Sequence, residues 1–140
     1  MSTTTYTIGG LQTKAYQVLR SHVYGVLSQY ELTPIYWTML GIITEAHSGV
    51  RQVEIAQLLG VKPPMITLMA RELEQRKLIQ VVPDQFDARA KLLALTTLGK
   101  KQVKQIEKQL QQELGQLLTG VSENEMKIYQ KVLQAIIAND

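Results

Sequence analysis

The hydrophobic pattern in the middle of the chain constrains the fold more than any other feature. Residues 52–59 and 63–77 carry apolar side chains at helical spacing, and Gly60 separates the two segments. Pro63 and Pro64 favour a helix start, because their missing amide protons cost nothing in a first turn. The residues predicted to face the core are Val53, Ile55, Ala56, Leu58 and Leu59, then Ile66, Met69, Ala70, Leu73 and Leu78. The pattern therefore predicts a helix–turn–helix unit.

The hydrophobic pattern changes from helical to strand-like spacing directly after this helix–turn–helix unit. Residues 79–82 and 91–96 are β-prone, and the stretch between them is polar and turn-like. We predict a two-stranded hairpin with a long, basic tip. A helix–turn–helix followed at once by such a hairpin is a winged helix, in which the second helix can enter a DNA major groove and the hairpin can reach the adjacent minor groove.

Longer helices are predicted on the N-terminal side. Residues 11–29 have helical spacing and follow a Ser/Thr-rich stretch, residues 1–10, that is interpreted as a loose arm. Thr33 and Pro34 then mark the start of another helix, with a capping hydroxyl followed by a proline in the first turn. This helix, over 35–46, is apolar nearly all round, which is typical of a central buried helix.

Two more helices are predicted after the hairpin. The first runs from Leu98 to near Gly120 with an apolar stripe along one side. Ser122 and Glu125 have the spacing of a capping box, which opens the last helix. The apolar face of that helix consists of Met126, Tyr129, Leu133, Ile136 and Ile137. The chain thus reads as a single domain, residues 1–140, that is mainly α-helical with one small β-hairpin.

Composition excludes several functional classes. A chain of 140 residues without cysteine has no disulfide framework, thiolate nucleophile or cysteine-based redox sensor, and two histidines leave little for a metal site. We find no catalytic set and no glycine-rich phosphate loop, so we expect no enzyme activity, no cofactor and no metal. The N-terminus lacks the features of a signal peptide and no segment is apolar enough to span a membrane, which predicts a cytoplasmic protein without a membrane partner.

The positive charge is confined to the middle of the chain. Residues 60–101 carry eight basic and four acidic side chains, whereas residues 1–59 are neutral in sum and residues 102–140 carry a net charge of −1. The basic excess therefore coincides with the helix–turn–helix and hairpin, which indicates an anionic partner such as double-stranded DNA.

The order of residues also resembles a known family. The segments QVEIAQLLGV (52–61), ITLMARELE (66–74), Asp87-Ala-Arg89 and LALTTLG (93–99) closely resemble the MarR family of bacterial and archaeal transcription regulators. The most specific part is the Asp-x-Arg of the wing, which continues into Leu-Thr-x-x-Gly at a helix start. The resemblance covers the whole chain.

The resemblance implies how the chain is organised. Residues 33–97 would form a winged-helix DNA-binding lobe, and residues 11–32 and 98–140 would be long dimerisation helices. A two-fold homodimer would place two recognition helices about 34 Å apart on a pseudo-palindromic operator. The alternative reading of the end helices is a self-contained helical cap.

The resemblance also assigns DNA-binding residues. The recognition helix would present Lys62, Pro63, Met65, Thr67, Leu68 and Arg71 to the DNA. In the wing, Arg89 would insert into the minor groove while Asp87 holds its guanidinium, and Gln85 and Lys91 would contact the backbone. The alternative is that Asp87 and Arg89 only pair on a solvated turn, which is worth under about 1 kcal/mol. Arg76 and Lys77 are interpreted as charges that favour the helix dipole.

A small-molecule effector is the last expectation. Family members often bind small aromatic or phenolic anions between the dimerisation helices and the DNA-binding lobe, and His22 and Tyr36 are the candidate ligand-binding residues here. The alternative is that each is an ordinary core or boundary residue. The function predicted is a sequence-specific regulator of transcription, a repressor released by such a ligand. The competing function is a winged-helix protein–protein interaction module or anti-regulator that does not bind DNA.

Overall fold

The computed structural model describes residues 4–140 and has the predicted mixture of helices and one hairpin. Between those residues the chain forms six helices and two strands, in the order α1 Thr5–Ser28, α2 Pro34–Glu45, α3 Gln52–Leu59, α4 Pro63–Gln75, β1 Ile79–Pro83, β2 Lys91–Leu95, α5 Thr97–Leu117 and α6 Glu123–Ala138. Mainly α-helical architecture with a β-hairpin is confirmed. Over the same residues, no helix combines the length and apolar character that a membrane span requires.

The prediction of a loose N-terminal arm is wrong for the residues that the structure describes. Helix α1 begins at Thr5 and continues through Gly9 and Gly10, with the amide of Ile8 donating to the carbonyl of Thr4. A glycine lowers helix stability by about 1 kcal/mol relative to alanine but does not forbid the helix, and extending an existing helix is far easier than starting one. Residues 1–3 of the predicted arm lie outside the described residues.

Helix α2 begins at Pro34, as predicted, and supplies the centre of the core. Thr33 has the extended backbone of an N-cap residue, but within residues 4–140 its hydroxyl makes no capping hydrogen bond, so that detail of the prediction is wrong. The proline alone fixes the helix start, because its backbone is already helical and it has no amide proton to satisfy. The buried side chains of α2 are Met39, Leu40 and Ile43.

The helix–turn–helix begins and turns where predicted, although α4 ends at Gln75 rather than near Lys77. Gly60 separates its two helices in the left-handed conformation, with φ 67°. The predicted core residues of α4 are buried, namely Ile66, Met69, Ala70 and Leu73. In α3 only Ile55 and Ala56 are fully buried, whereas Val53 is 50% exposed and Leu58 is 69% exposed. The prediction placed too many residues on the buried side, since a helix of two turns covers only a narrow stripe against its neighbours.

The hairpin pairs its strands in antiparallel register, from Ile79 opposite Leu95 to Pro83 opposite Lys91. A third segment joins the sheet, because Val50 exchanges two backbone hydrogen bonds with Leu93, at 3.0 and 2.8 Å. This bridge binds the base of the wing to the start of α3.

The Leu-Thr-x-x-Gly sequence joins the end of the recognition helix to α5. The hydroxyl of Thr96 donates to the carbonyl of Lys77 at 2.6 Å and accepts from the amide of Gly99 at 2.9 Å. A Cβ atom at position 99 would lie 1.9 Å from the carbonyl oxygen of Leu78. Only glycine fits this approach, so the motif is explained by packing at the junction of α4, the hairpin and α5.

The core lies within the winged-helix lobe and extends to the adjoining parts of α1 and α5. Helix α1 contributes Val26 and Leu27, and α5 contributes Ile106 and Leu110. The predicted capping box of α6 is present, with both hydrogen bonds between Ser122 and Glu125. No residue of α6 is fully buried against the rest of the described chain, however, and its apolar face remains largely exposed.

Candidate nucleic-acid interface

Helix α4 presents one side to the core and the other to solvent, as a recognition helix must. Every residue predicted to face outward is exposed: Lys62, Pro63, Met65, Thr67, Leu68 and Arg71. The two cations lie near opposite ends of this face, and the side chains between them are apolar or uncharged. A face of this kind can offer charge-assisted hydrogen bonds to phosphate or guanine and apolar contacts to thymine methyl groups.

Thr67 is held in place by a neighbour that the sequence did not suggest. Its hydroxyl lies 3.0 Å from Oε1 of Gln52 and 3.2 Å from the carbonyl of Pro63, and it can donate to either oxygen. Gln52 is the first residue of α3, so this contact joins the two helices of the helix–turn–helix at the exposed surface. Because the side-chain oxygen of Gln52 accepts this hydrogen bond, the side-chain NH2 group of Gln52 can donate to a ligand.

The C-terminal end of α4 is anchored by Arg76. Its guanidinium donates to the carbonyl of Glu31 at 2.9 Å and to that of Tyr30 at 2.6 Å. The interpretation of Arg76 as a dipole-favouring charge therefore missed its main role, because one planar fork satisfies two carbonyls in the link between α1 and α2. Lys77, which was interpreted in the same way, is exposed and has a left-handed backbone, with φ 59°.

Tyr36, one of the two predicted ligand-binding residues, contacts the recognition helix. Its hydroxyl donates a hydrogen bond to the carboxylate of Glu72, which joins α2 to α4. Partial burial of the ring and the hydrogen bond to Glu72 raise the pKa of Tyr36 to about 12. The phenol is thus protonated and engaged within the protein at neutral pH.

His22, the other predicted ligand-binding residue, lies on α1 and contacts α5. Its Nδ1 atom lies 2.6 Å from Oε1 of Glu113, and both side chains are half-exposed. The pair borders a cavity of about 320 Å³. The described residues that line this cavity do not include Tyr36, so the structure does not bring the two candidates together.

A second cavity has a more apolar lining. It has a volume of about 340 Å³ and lies between α1, α2 and α5, with Val23, Trp37, Leu110, Leu114 and Leu118 among its lining residues. Glu107 and Gln111 add polar groups at its edge. A mainly apolar concave site with few polar groups is typical of sites that bind small molecules.

The wing exposes all four of its predicted DNA-binding residues, namely Gln85, Asp87, Arg89 and Lys91. Two aspartates shape the turn through hydrogen bonds to the backbone two residues further on. The carboxylate of Asp84 accepts from the amide of Phe86 at 2.9 Å, and that of Asp87 accepts from the amide of Arg89 at 3.0 Å. Such Asx turns fix the path of a loop without regular structure.

The structure differs from the prediction that Asp87 holds the guanidinium of Arg89. One oxygen of Asp87 accepts from the backbone of Arg89, and the other lies 3.9 Å from Nη2 of Arg51. The same guanidinium lies 3.3 Å from the carboxylate of Asp84. Because the short Asp87 side chain reaches the nearest amide, the guanidinium that faces this carboxylate comes from Arg51, which the bridge at Val50 brings beside the wing.

Arg51 is a residue that sequence analysis missed. It directly precedes α3. The backbone amide of Phe86 and, as the smaller cause, the guanidinium of Arg51 hold the pKa of the Asp84 carboxyl below its ordinary value. The sequence signal was weak, because Arg51 and Asp84 are 33 positions apart. Only the pairing of Val50 with β2 makes them neighbours.

Comparison with known proteins agrees with this architecture. A family model described as "MarR family" matches residues 32–91, which contain the helix–turn–helix and most of the hairpin. This segment of the chain is similar to the MarR family. The solved structures that resemble the chain include transcription regulators.

Solved structures resemble the chain well beyond the matched segment. CouR from Rhodococcus jostii RHA1, bound to p-coumaroyl-CoA, has a TM-score of 0.83 and 26% identity over 92% of this chain and 90% of its own. MepR, a transcription regulator of the Staphylococcus aureus multidrug efflux pump MepA, has a TM-score of 0.71 and 25% identity over 92% and 95%. The S. aureus MepR–DNA complex has a TM-score of 0.75 and 25% identity over 92% and 93%. The MarR-like fold therefore includes the helices on both sides of the winged helix.

Proposed function

We propose that this protein is a homodimeric, sequence-specific regulator of the MarR family that binds double-stranded DNA with its winged-helix lobe. The observation that carries the proposal is the unobstructed outer face of α4, on which Lys62 and Arg71 are exposed beside a wing that exposes Arg89. These side chains belong to the segment that holds the positive excess. The likeness to MepR, which has been solved in complex with DNA, supports this proposal.

Each DNA-binding element has a distinct role in the proposal. Helix α4 enters the major groove, where Lys62 and Arg71 contact phosphates or guanine edges and Met65 and Leu68 contact thymine methyl groups. The wing follows the backbone into the minor groove with Arg89, while Gln85 and Lys91 contact phosphates. Asp87 shapes the wing by fixing the backbone at Arg89.

Dimerisation is proposed from the exposed apolar side chains of the end helices. The exposed large apolar residues of α1 and α6 are Tyr6, Ile8, Leu11, Tyr16, Val18, Tyr24, Ile128, Tyr129, Val132, Ile136 and Ile137. Exposed apolar patches formed by many neighbouring side chains mark interaction sites on small proteins. A two-fold partner that covers them would set the two recognition helices about one DNA turn apart.

We place the effector in the cavity around Trp37 rather than at His22 and Tyr36. Its apolar lining joins α1 and α5 of the end helices to α2 of the lobe, so a ligand there contacts both parts of the protein. The likeness to CouR, solved with p-coumaroyl-CoA, supports an aromatic ligand class. In this proposal the protein is a repressor that the ligand releases from DNA, acts in the cytoplasm and has no catalytic activity.

The proposal is tested with a pool of random duplexes and two matched variants. Wild-type protein selects duplexes from the pool, and fluorescence anisotropy measures its affinity for a selected duplex and for the unselected pool. Replacement of Lys62 and Arg71 by Gln is expected to weaken selected-site binding at least about tenfold, since each lost contact to a guanine edge removes about 1–3 kcal/mol.

The control replaces Lys127 and Lys131 of α6 by Gln, which removes the same charge from the other end of the chain. These variants are expected to bind as wild type does. If both pairs weaken binding equally, or if no duplex is enriched, the DNA-reading role of α4 is wrong. A protein that binds no duplex but binds another protein through α4 would instead support the interaction module.

A further inference from the structure

The tip of the wing carries an aromatic side chain that contacts almost nothing. Phe86 is the only phenylalanine of the chain, and it is 95% exposed, more than any other large apolar residue that the structure describes. The exposed apolar residues of α1 and α6 lie on helical stripes beside others of their kind. Phe86 instead lies between Gln85 and Asp87, on a turn of polar and small residues. Its exposure therefore needs a different explanation from theirs.

The backbone that carries Phe86 is fixed by hydrogen bonds. Its amide donates to Asp84 at 2.9 Å, and Asp84 is held in turn by the guanidinium of Arg51 at 3.3 Å. The amide of Asp84 also donates to the carbonyl of Ala90 across the turn, at 3.3 Å. The ring thus projects from an ordered tip, and little conformational freedom is lost when a partner covers it.

The surroundings of the ring indicate which partner covers it. Arg89 is exposed three positions further along the same turn, so the tip offers one apolar ring and one guanidinium. Both can fit a DNA minor groove, where arginine is attracted by the negative potential and an apolar ring can enter between adjacent base pairs. The carboxylates of Asp84 and Asp87 accept from backbone amides and face the guanidinium of Arg51, and that of Asp87 is half-exposed.

We propose that Phe86 inserts its ring as an apolar wedge into the minor groove, at a flexible pyrimidine–purine step beneath each wing. This inference rests on the proposed function and adds a contact that carries sequence preference without hydrogen bonds to base edges. Insertion partly unstacks one base step and bends the duplex, and this costs least at TA and CA steps. Burial of the ring offsets that cost.

The test uses the full chain and a set of duplexes derived from one selected site. Hydroxyl-radical protection locates the base step beneath each wing, and that step is changed to TA, CA, GC or AA. Anisotropy measures affinity, and energy transfer between dyes at the duplex ends measures bending. Phe86→Ala is compared with Phe86→Trp and with Leu58→Ala, which truncates an exposed apolar residue of α3 away from the wing.

We expect Phe86→Ala to bind the TA duplex about tenfold more weakly than wild type, to bend it less and to lose the preference for TA over GC. Its salt dependence is expected to match that of wild type, because no charge is removed. Phe86→Trp is expected to retain the bend and the preference. Leu58→Ala is expected to bind as wild type does.

The outcomes distinguish a failure of the Phe86 wedge from a failure of the proposed DNA-binding function. If wild type binds and bends DNA and Phe86→Ala shows the same affinities, step preference and bend, the wedge is wrong and the proposed function stands. If wild type binds no duplex, the proposed function fails and the wedge fails with it. A loss of affinity that is equal for all four steps, with the bend unchanged, also overturns the wedge.

Discussion

The winged-helix lobe and the helical ends solve the problem of apolar surface in different ways. The lobe buries its own core, with Ile55, Ile66 and Leu73 completely inaccessible to solvent. Helix α6 has an apolar face of similar character but no fully buried side chain, and Ile137 near its end is 76% exposed. The lobe is therefore complete as a single chain, whereas the ends reach comparable burial only against a partner.

The two regions also differ in charge. The segment that contains α4 and the wing carries the positive excess, while the segments on either side are close to neutral. Two copies can therefore meet through their ends with little repulsion, and the basic lobes remain free for a polyanion. Pairing and DNA reading are thus assigned to different parts of one small chain.

The largest expected effect comes from two glycines of the same helix, one at the lobe and one near the far end. Gly99→Ala is expected to destabilise the protein by about 3 kcal/mol or more, because the added Cβ meets the backbone carbonyl of Leu78. Gly115→Ala is expected to stabilise it by about 0.5–1 kcal/mol, since in the described chain the methyl group meets nothing within 4 Å. Urea unfolding at one protomer concentration measures both. Equal changes in unfolding free energy for the two variants would show that the packing around Gly99 is no tighter than that around Gly115.

The second prediction separates pairing from folding. Replacement of Val132 and Ile136 by Asp places two charges on the exposed apolar face of α6 and is expected to weaken dimerisation at least about 100-fold. The lobe is expected to keep its fold, because these residues take no part in its core. Light scattering after size exclusion measures the mass, and circular dichroism measures the helix content.

The matched control for α6 replaces Gln130 and Gln134 by Asp. It introduces the same charges at the same spacing on the polar side of the helix. We expect this control to remain a dimer. A dimeric Val132/Ile136 variant, or a control that dissociates equally, would mean that the apolar face of α6 is not the interface.

How far sequence reasoning reached differs between the same two regions. The bounds of α3, α4 and the hairpin were predictable because Gly60 and Pro63 punctuate clear local periods. The start of α1 was missed because two adjacent glycines are typical of a loop. The local hydrophobic pattern was enough to predict which helices and strands form, but not to predict all of their exposed residues.

The contacts that fix the candidate site were not predictable in this way. Arg76 bonds to a carbonyl 45 positions away, and His22 contacts a carboxylate 91 positions away. A single sequence contains no signal for such pairs, because they depend on how whole elements pack. The prediction that Asp87 holds the guanidinium of Arg89 was wrong, because the Asp87 carboxylate accepts from the backbone amide of Arg89 instead.

The third prediction concerns a contact within the lobe. Tyr36→Phe removes the hydrogen bond to Glu72 and is expected to destabilise the protein by about 1 kcal/mol. Folding raises the pKa of Tyr36 to about 12 from an unfolded value near 10. The stability that the protonated phenol contributes is therefore complete below pH 10 and is lost as the pH rises from 10 towards 12. Urea unfolding at pH 9 and pH 11 should show a smaller pH effect in the variant than in wild type.

The control is Tyr30→Phe, which removes a hydroxyl that makes no hydrogen bond within the described residues and lies outside the proposed dimer patch. Its unfolding free energy is expected to stay within about 0.5 kcal/mol of wild type. A Tyr36 variant that is as stable as this control and has the wild-type pH response would show that the link between α2 and α4 contributes nothing.

The smallest expected effect on stability concerns the wing. Arg51→Ala removes an exposed guanidinium from Asp84 and Asp87 and is expected to change stability by less than about 1 kcal/mol. Affinity for a selected duplex is expected to fall several-fold, because the wing loses the group that orients its turn. The control Lys127→Ala removes a more exposed ion pair of α6, in which Nζ lies 4.0 Å from the carboxylate of Glu123, and is expected to leave DNA binding unchanged.

The central claim, that the lobe reads DNA and the ends pair the chains, is tested most directly by titrating wild-type protein onto a selected duplex across about 50–200 mM salt while sedimentation measures the mass of the complex. With Lys62, Arg71 and Lys91 contacting phosphates in both protomers, the account predicts two chains per duplex and a slope of log affinity against log salt of about −5. A single bound chain or a flat salt response would contradict it.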